Sequence, residues 1–325
     1  QRPLLPAVGW EANANGIHST ALGERASASN YGSTAVGVIA TARGANSIAL
    51  GSYALAESAG GASTAIGPQA KALGASSTSV GNSSCANSQG SIALGYGATA
   101  NGNDSQASGT RAIASGTGAQ ASGYEATADG LYAQASGRSS KAEGIGAQAS
   151  GFQATASGYG SMALGYIANA NDKGAQALGY QAIANGTGAQ ASGYKATAEG
   201  AGATASGGNS IAEGQDTTAS GAYATANQRG ASAFGAGAKA ISERATAVGF
   251  GSNASGTNST ALGRSATTTR DDQIMLGQST TQVTVANLSG TEKSIVVANS
   301  DGTLSSFESS SGTFDSLDCT GTGDN

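Results

Sequence analysis

Histidine occurs once, at His18, and that single copy removes most histidine triads and histidine-based metal sites at the outset. Cysteine occurs twice, at Cys85 and Cys319, too rarely and too far apart for a disulfide scaffold; the pair reads as two unpaired thiols, with an intermolecular bridge as the alternative. Aromatic residues make up 5% and charged residues 11% of the chain, so a conventional core of large side chains and a strongly charged surface are both excluded. With 3 prolines and a net charge of −5, the chain also lacks the usual marks of a disordered linker. Basic clusters are scarce and the pI is near 4.9, which argues against nucleic acid as a partner. No apolar run approaches the roughly 18 residues of a membrane-spanning helix. A P-loop, zinc-ligand spacing and a calcium-binding GGxGxD array are missing too, so no cofactor or metal is expected and no catalytic activity. The chain begins QRPLL rather than with Met, which points to a processed N-terminus or an excised fragment and toward export.

What is present is small and periodic. Of the 325 residues 52 are glycine, and they keep time: Gly9, Gly23, Gly37 and Gly51, then Gly67, Gly81, Gly95 and every fourteenth residue to Gly277. The single irregular interval, Gly51 to Gly67, carries two extra residues in ESAGGAS and predicts one bulged loop. Two residues before the anchor stands Ala, with Ser79 and Met275 as exceptions; five after it stands Ala, with Thr268 as the exception; three after it the residue is Ala or Ser throughout. A second glycine often falls seven after the anchor, as at Gly16, Gly44, Gly102 and Gly144.

Small and larger residues alternate with period two between turns, which is the pattern of a strand. A helix is excluded: glycine every seven residues would cost about 1 kcal/mol each, and the Ala column would scatter around the axis. Stacking the copies places each Ala on the Ala of the next coil and satisfies the backbone between coils. The prediction is an all-β, parallel β-roll or β-solenoid of about nineteen 14-residue coils over residues 9–277, on the order of 90 Å long at the strand spacing of about 4.8 Å. Residues 1–8 form an N-terminal arm, 278–310 a β-rich cap or connector, and 311–325 a tail. In the connector, alternation at Val283 and Val285 and at Ile295 to Val297, with a turn at Ser300-Asp301-Gly302, predicts strands and contains no heptads.

Ala contributes one methyl, so a lone roll gains little apolar burial per ordered residue. The larger apolar residues fall one and three before the anchor, as in SIALG at 47–51 and 91–95, SMALG at 161–165 and STALG at 259–263. They point away from the roll interior, and a stripe of this kind along the whole rod calls for association.

These motifs, fourteen residues to a coil from about Gly9 to Gly277, resemble the head repeats of YadA-like trimeric autotransporter adhesins. The resemblance implies a left-handed parallel β-roll, three chains side by side, and the apolar pair of each motif facing the threefold axis. It also implies an extracellular or cell-surface location. The neck, coiled-coil stalk and membrane β-barrel that usually follow such heads are not legible after Gly277; similar rolls could serve in viral or phage fibres or in self-assembling extracellular filaments.

Candidate axis residues are Ile48, Leu50, Ile92, Leu94, Gln106, Gln120, Gln134, Gln148, Met162, Gln176, Gln190 and Ile274. The axial face is apolar toward both ends and polar in the middle, where Gln stands three before the anchor and Ser one before it. Stacked Gln amides can hydrogen-bond up the ladder or between chains; in the other reading the middle of this face is not buried and the oligomer is arranged differently there. Aromatics gather just after the anchors, at Tyr96, Tyr124, Phe152, Tyr166, Tyr180 and Tyr194. Either they pack between protomers, or they form an exposed ladder for glycans or an extended protein ligand. Leu4, Leu5, Trp10, Val296 and Phe307 are candidates for end-to-end contact. The carboxylates of Asp129, Glu143, Glu199 and Glu213, six after the anchor, read as a solvated edge rather than as paired acids. Thr at 99, 127, 155, 197 and 225 suggests an ice-binding ladder, but Lys71, Ile113, Lys141, Ile183 and Lys239 interrupt it. The functional expectation is a homotrimeric adhesive or structural rod binding matrix, glycans or another cell, with an end-to-end filament or fibre subunit as the alternative.

Overall fold

A computed structural model describes residues 7–58, 60–281, 295–298 and 304–307, the last two segments as backbone. The chain divides into two compact units, residues 1–278 and 279–325. The first is a parallel β-solenoid with no helix among its described residues. Each coil contributes a three-residue strand ending just before the anchor glycine, such as Ile92–Leu94 or Gln106–Ser108, and a two-residue strand after it, such as Thr99–Ala100. The triplets stack into a 20-stranded parallel sheet and the doublets into a second sheet of 19 strands. Register follows the fourteen-residue period, as in Ala93↔Ala107 and Ala100↔Ala114. It survives the sixteen-residue coil, where Leu50 pairs with Ile66 and Ala56 with Ala72, so the two extra residues are confined to the loop.

The reason this text makes strands lies in the interior. Ala21, Ala35 and Ala49 of the triplets, Ala28 and Ala42 of the doublets, and Ala26 and Ala40 between the two sheets are all wholly buried. A fourth inward column, four before each anchor, completes the lining with Ser19, Ser33, Ser47, Ser91 or Ala in other coils. Only side chains of this size allow two sheets of one coil to lie so close. Many of the buried hydroxyls are satisfied by turn carbonyls: Ser19 donates to Gly16 O at 2.6 Å, Ser47 to Gly44 O at 2.6 Å and Thr217 to Gly214 O at 2.7 Å, while the hydroxyls of Ser63, Ser77 and Ser105 have no partner among the described residues.

The exceptions to the Ala columns are paired across this interior. Ser79 lies 2.7 Å from Ser84, Oγ to Oγ, and Thr268 lies 2.7 Å from Ser259. A hydroxyl therefore enters an Ala column where a second hydroxyl meets it.

Corners are bonded between coils as firmly as strands. At one corner Gly179 N donates to Leu164 O and Gln181 N to Tyr166 O, both at 2.8 Å. The anchor glycine is required twice over. Gly151 has φ +131, which side-chain-bearing residues rarely adopt, and a Cβ there would collide with the carbonyl of Gly165. At Gly144, seven after an anchor, the backbone is ordinary and only the collision with Gly158 O demands glycine.

In the second unit, Ile295–Ala298 and Leu304–Phe307 pair as an antiparallel hairpin, with Ile295 opposite Phe307. The expected strands around Val283 and Val285, and the turn at Ser300-Asp301-Gly302, lie outside the described residues.

Candidate functional site: the outer faces of the roll

Strand alternation that buries the middle residue of each triplet turns its two neighbours outward. On this face Leu94 is 39% and Ile274 71% exposed, Ile48 is exposed, and Leu50, Ile92 and Met162 are half-buried. Gln106, Gln120, Gln134 and Gln148 follow one another in register, then Met162, then Gln176 and Gln190, and every one of these glutamines is exposed in the single chain. The expected amide ladder does not form within the chain: no hydrogen bond joins neighbouring Gln side chains. Amide bonds up the stack occur instead in the column six after the anchor, between Asn87 and Asn101 at 2.6 Å and between Asn171 and Asn185 at 2.8 Å. The shorter Asn arm holds its amide near the backbone, where the next coil repeats it; the longer Gln arm swings out.

At the corner after the anchor, six consecutive coils carry Tyr124, Arg138, Phe152, Tyr166, Tyr180 and Tyr194. Phe152, Tyr166, Tyr180 and Tyr194 form one continuous stack, with centroid separations of 5.0, 5.0 and 5.2 Å and planes within 10°. The Arg138 guanidinium bridges the remaining step, 5.5 Å from the Tyr124 ring and 5.6 Å from that of Phe152. The rings thus cover one another's faces within a single chain and leave their edges to solvent. Tyr96, two coils before Tyr124, stands apart and 55% exposed.

A feature that the sequence columns did not reveal lies on the doublet-sheet side. Ile167, Asn169, Gln181, Ile183, Lys195 and Thr197 line an open hollow of about 360 Å³. Its sequence signal is weak, because isoleucine also occurs elsewhere in both columns, at Ile39 in that of Ile167 and at Ile113 and Ile211 in that of Ile183. Lys195 links it to the aromatic stack, its Nζ lying 5.3 Å from the Tyr194 centroid.

The remaining candidates fall into place around these faces. Trp10 is 65% exposed on the first described coils; Leu4 and Leu5 lie outside the described residues, as do the side chains of Val296 and Phe307. His18 is exposed and meets Tyr31 edge-on at 5.6 Å. Asp129, Glu143, Glu199 and Glu213 are exposed, Glu143 accepting from Ser157 at 3.0 Å. Ion pairs run between coils, Arg43 to Glu57 at 3.0 Å and Arg111 to Glu125 at 3.2 Å, on exposed side chains where such pairs add little stability. Cys85 has no disulfide partner among the described residues and gives its thiol hydrogen to Asn87 Oδ1 at 2.9 Å; partial burial raises its pKa, with Lys71 and Asn87 acting in the opposite sense. Cys319 lies outside the described residues. Among the described residues no three His, Cys, Asp or Glu side chains are placed to hold a metal ion. No helix there is long and apolar enough to cross a membrane.

A two-sheet parallel roll with an all-small interior defines a repeat protein whose variable chemistry sits entirely on its outer columns. The YadA head domain repeat model matches it over residues 7–26, 28–54, 58–84, 86–105, 107–133, 142–168, 156–182, 177–203, 191–216, 212–238 and 240–266, and the chain belongs to that family. Among solved structures, it is similar to the collagen-binding domain of the Yersinia adhesin YadA, at 23% identity over 58% of this chain and 82% of that one, with a TM-score of 0.25. A search of curated proteins gives no significant match.

Proposed function

We propose that the roll is the head of an extracellular adhesin, a rod of three parallel chains displayed at a cell surface. The triplet-sheet faces turn toward a common axis, and the other faces meet matrix, glycans or another cell. One observation carries this reading: Leu22, Ile66, Leu94, Leu262 and Leu276 remain 37–49% exposed in the single chain, an apolar stripe toward both ends of the rod that association would cover. Membership of the head-repeat family supports the adhesive role. The reading assigns no catalysis; affinity comes from many weak contacts repeated along a rigid spacer.

The test is twofold. Sedimentation of the purified full chain should give the mass of three copies, and a monomer at working concentration would overturn the assembly. Binding to immobilised matrix proteins and glycan arrays should saturate and require the intact roll; absence of binding to every surface would remove the adhesive role and leave the rod.

A second reading, a subunit joined end to end into a filament or fibre, is favoured by the exposure of Trp10 at 65% and Ile274 at 71% on the first and last described coils. Electron micrographs separate the two: continuous polymers favour the filament, discrete rods of uniform length the adhesin head.

A further inference from the structure

Tyr166, Tyr180 and Tyr194 place three phenols on three consecutive coils, and we propose that they form a radical-coupling site: a one-electron oxidant converts an adjacent pair into dityrosine, a covalent staple between neighbouring coils. Their planes lie within 10° and their centroids 5.0 and 5.2 Å apart. The three residues are 43%, 42% and 51% exposed, so their phenols are open to an oxidant from solvent. The backbone beneath them cannot drift apart. Gly179 N bonds to Leu164 O and Gln181 N to Tyr166 O at 2.8 Å, and the next step repeats this with Gly193 N to Leu178 O at 2.9 Å and Lys195 N to Tyr180 O at 2.8 Å.

The chemistry balances with hydrogen peroxide acting through a haem peroxidase. Each of two tyrosines loses one electron and its phenolic proton, giving two phenoxyl radicals. Their unpaired electrons join in a carbon–carbon bond between positions ortho to the oxygens, and the hydrogen on each of those carbons moves to oxygen to restore the phenol. Two tyrosines have then lost two hydrogen atoms, and one peroxide has become two waters. A cisoid biaryl holds the two Cβ-bearing ring carbons roughly 6 Å apart, about 1 Å beyond the strand spacing, and rotation about the Cα–Cβ and Cβ–ring bonds takes up the difference as the rings turn edge to edge, so the coils need not separate. Pre-positioning also favours this coupling over encounters between molecules in dilute solution.

The rest of the molecule supplies the controls. Of the 10 tyrosines, the seven others do not stack on another tyrosine among the described residues. Tyr124 is held off the stack by Arg138, and Phe152, which closes it on that side, forms no phenoxyl radical. The presence of Phe152 in the column also shows that Phe is accepted there, so Tyr180→Phe keeps the fold while separating Tyr166 from Tyr194 by two coils.

The experiment treats the dilute full-length chain with a haem peroxidase and peroxide, follows dityrosine fluorescence and intact mass, and maps the linked peptides. The expected result is a loss of two hydrogens per chain without an increase in chain mass on a denaturing gel, with links confined to Tyr166–Tyr180 and Tyr180–Tyr194. Tyr180→Phe should abolish the link, Tyr166→Phe should retain it at Tyr180–Tyr194, and Tyr96→Phe should leave the yield unchanged. Any of three results overturns the proposal: no dityrosine in the wild-type chain, links spread over all ten tyrosines in proportion to exposure or formed between chains, or a yield that persists in Tyr180→Phe.

Discussion

The coils at the two ends of the roll and the coils in its middle have the same interior and different outer faces. Near one end the outward pair of the triplet is Ile92 and Leu94; one coil later, in register, it is Gln106 and Ser108, while Ala93 and Ala107 between them are equally buried. Folding and association are therefore written on alternate residues of one strand, and the outer text can change without disturbing the inner one. The middle also receives something the ends lack. Where the face gives up most of its branched apolar side chains, from Gln106 to Ser220 with Leu164 and Leu178 as exceptions, the neighbouring corner gains the stack from Tyr124 to Tyr194. Ring stacking returns to those coils part of the apolar contact that Gln and Ser do not make, and it does so within one chain.

The sharpest way to break the comparison is to attack what both regions share. Gly151→Ala in the middle and Gly95→Ala near an end face the same obstacles: φ of +131 and +129, and a Cβ driven into the carbonyl of the following anchor. Each should cost about 3 kcal/mol or more through backbone strain and overpacking. Because coils contact only their neighbours, the loss should appear as a local rise in amide exchange around the altered coil. Unequal losses at the two sites would mean that the interior is not common to both regions.

Next in size come exchanges of the outer text. Ile92→Gln with Leu94→Ser gives an end coil the face of the middle, and should weaken self-association by on the order of 2 kcal/mol per chain while leaving the fold intact. Gln120→Ile with Ser122→Leu does the reverse and should tighten it. The dissociation concentration from ultracentrifugation reads both. If the first variant associates like the parent, the triplet face is not the association surface. If the second only aggregates, the middle of that face is not covered in the assembly.

The polar interruptions of the Ala columns predict a smaller, asymmetric effect. The only partner of the Ser79 hydroxyl is Ser84, whereas Ser84 also donates to Gly81 O at 2.9 Å. Ser84→Ala should cost about 1 kcal/mol by stranding the buried Ser79 hydroxyl. Ser79→Ala should be close to neutral, and the double substitution should recover most of the loss. Equal losses from the two single substitutions would show that the pair is not organised in this way.

How much of this was legible follows from what each column asks of its residues. The anchor glycines and the Ala columns can be read because strain and collision leave one residue type acceptable. The fourth inward column is harder to see: Ser, Ala and Thr all fit it, as Ser19, Ala119 and Thr217 show, since a hydroxyl there can reach a turn carbonyl, as at Ser19 and Thr217. The aromatic spacing was plain in the sequence, but the direction of the rings was not. The Arg138 guanidinium occupies the step between Tyr124 and Phe152, a role that the aromatic spacing does not display. The Gln column misled because register alone does not bring amides together; the length of the arm decides, and the Asn column bonds where the Gln column does not. The hollow around Ile167 and Ile183 joins residues from different columns on successive coils, which no single column displays.

The smallest effect contrasts two isoleucines held in the left-handed region, Ile39 at φ 58 near an end and Ile167 at φ 53 in the middle. A β-branched residue is strained there, and Asn tolerates the conformation at lower cost. Both are half-buried, and Ile167 lines the hollow beside Ile183. Ile39→Asn should therefore raise the thermal midpoint, with a gain of up to about 1 kcal/mol as strain is relieved. In Ile167→Asn the loss of apolar contact along the hollow should offset most of that relief. Equal gains would mean that the apolar lining contributes nothing to the free chain and that Ile167 is tolerated at a cost with no return in packing, which would turn attention to what the hollow holds when the rod is engaged.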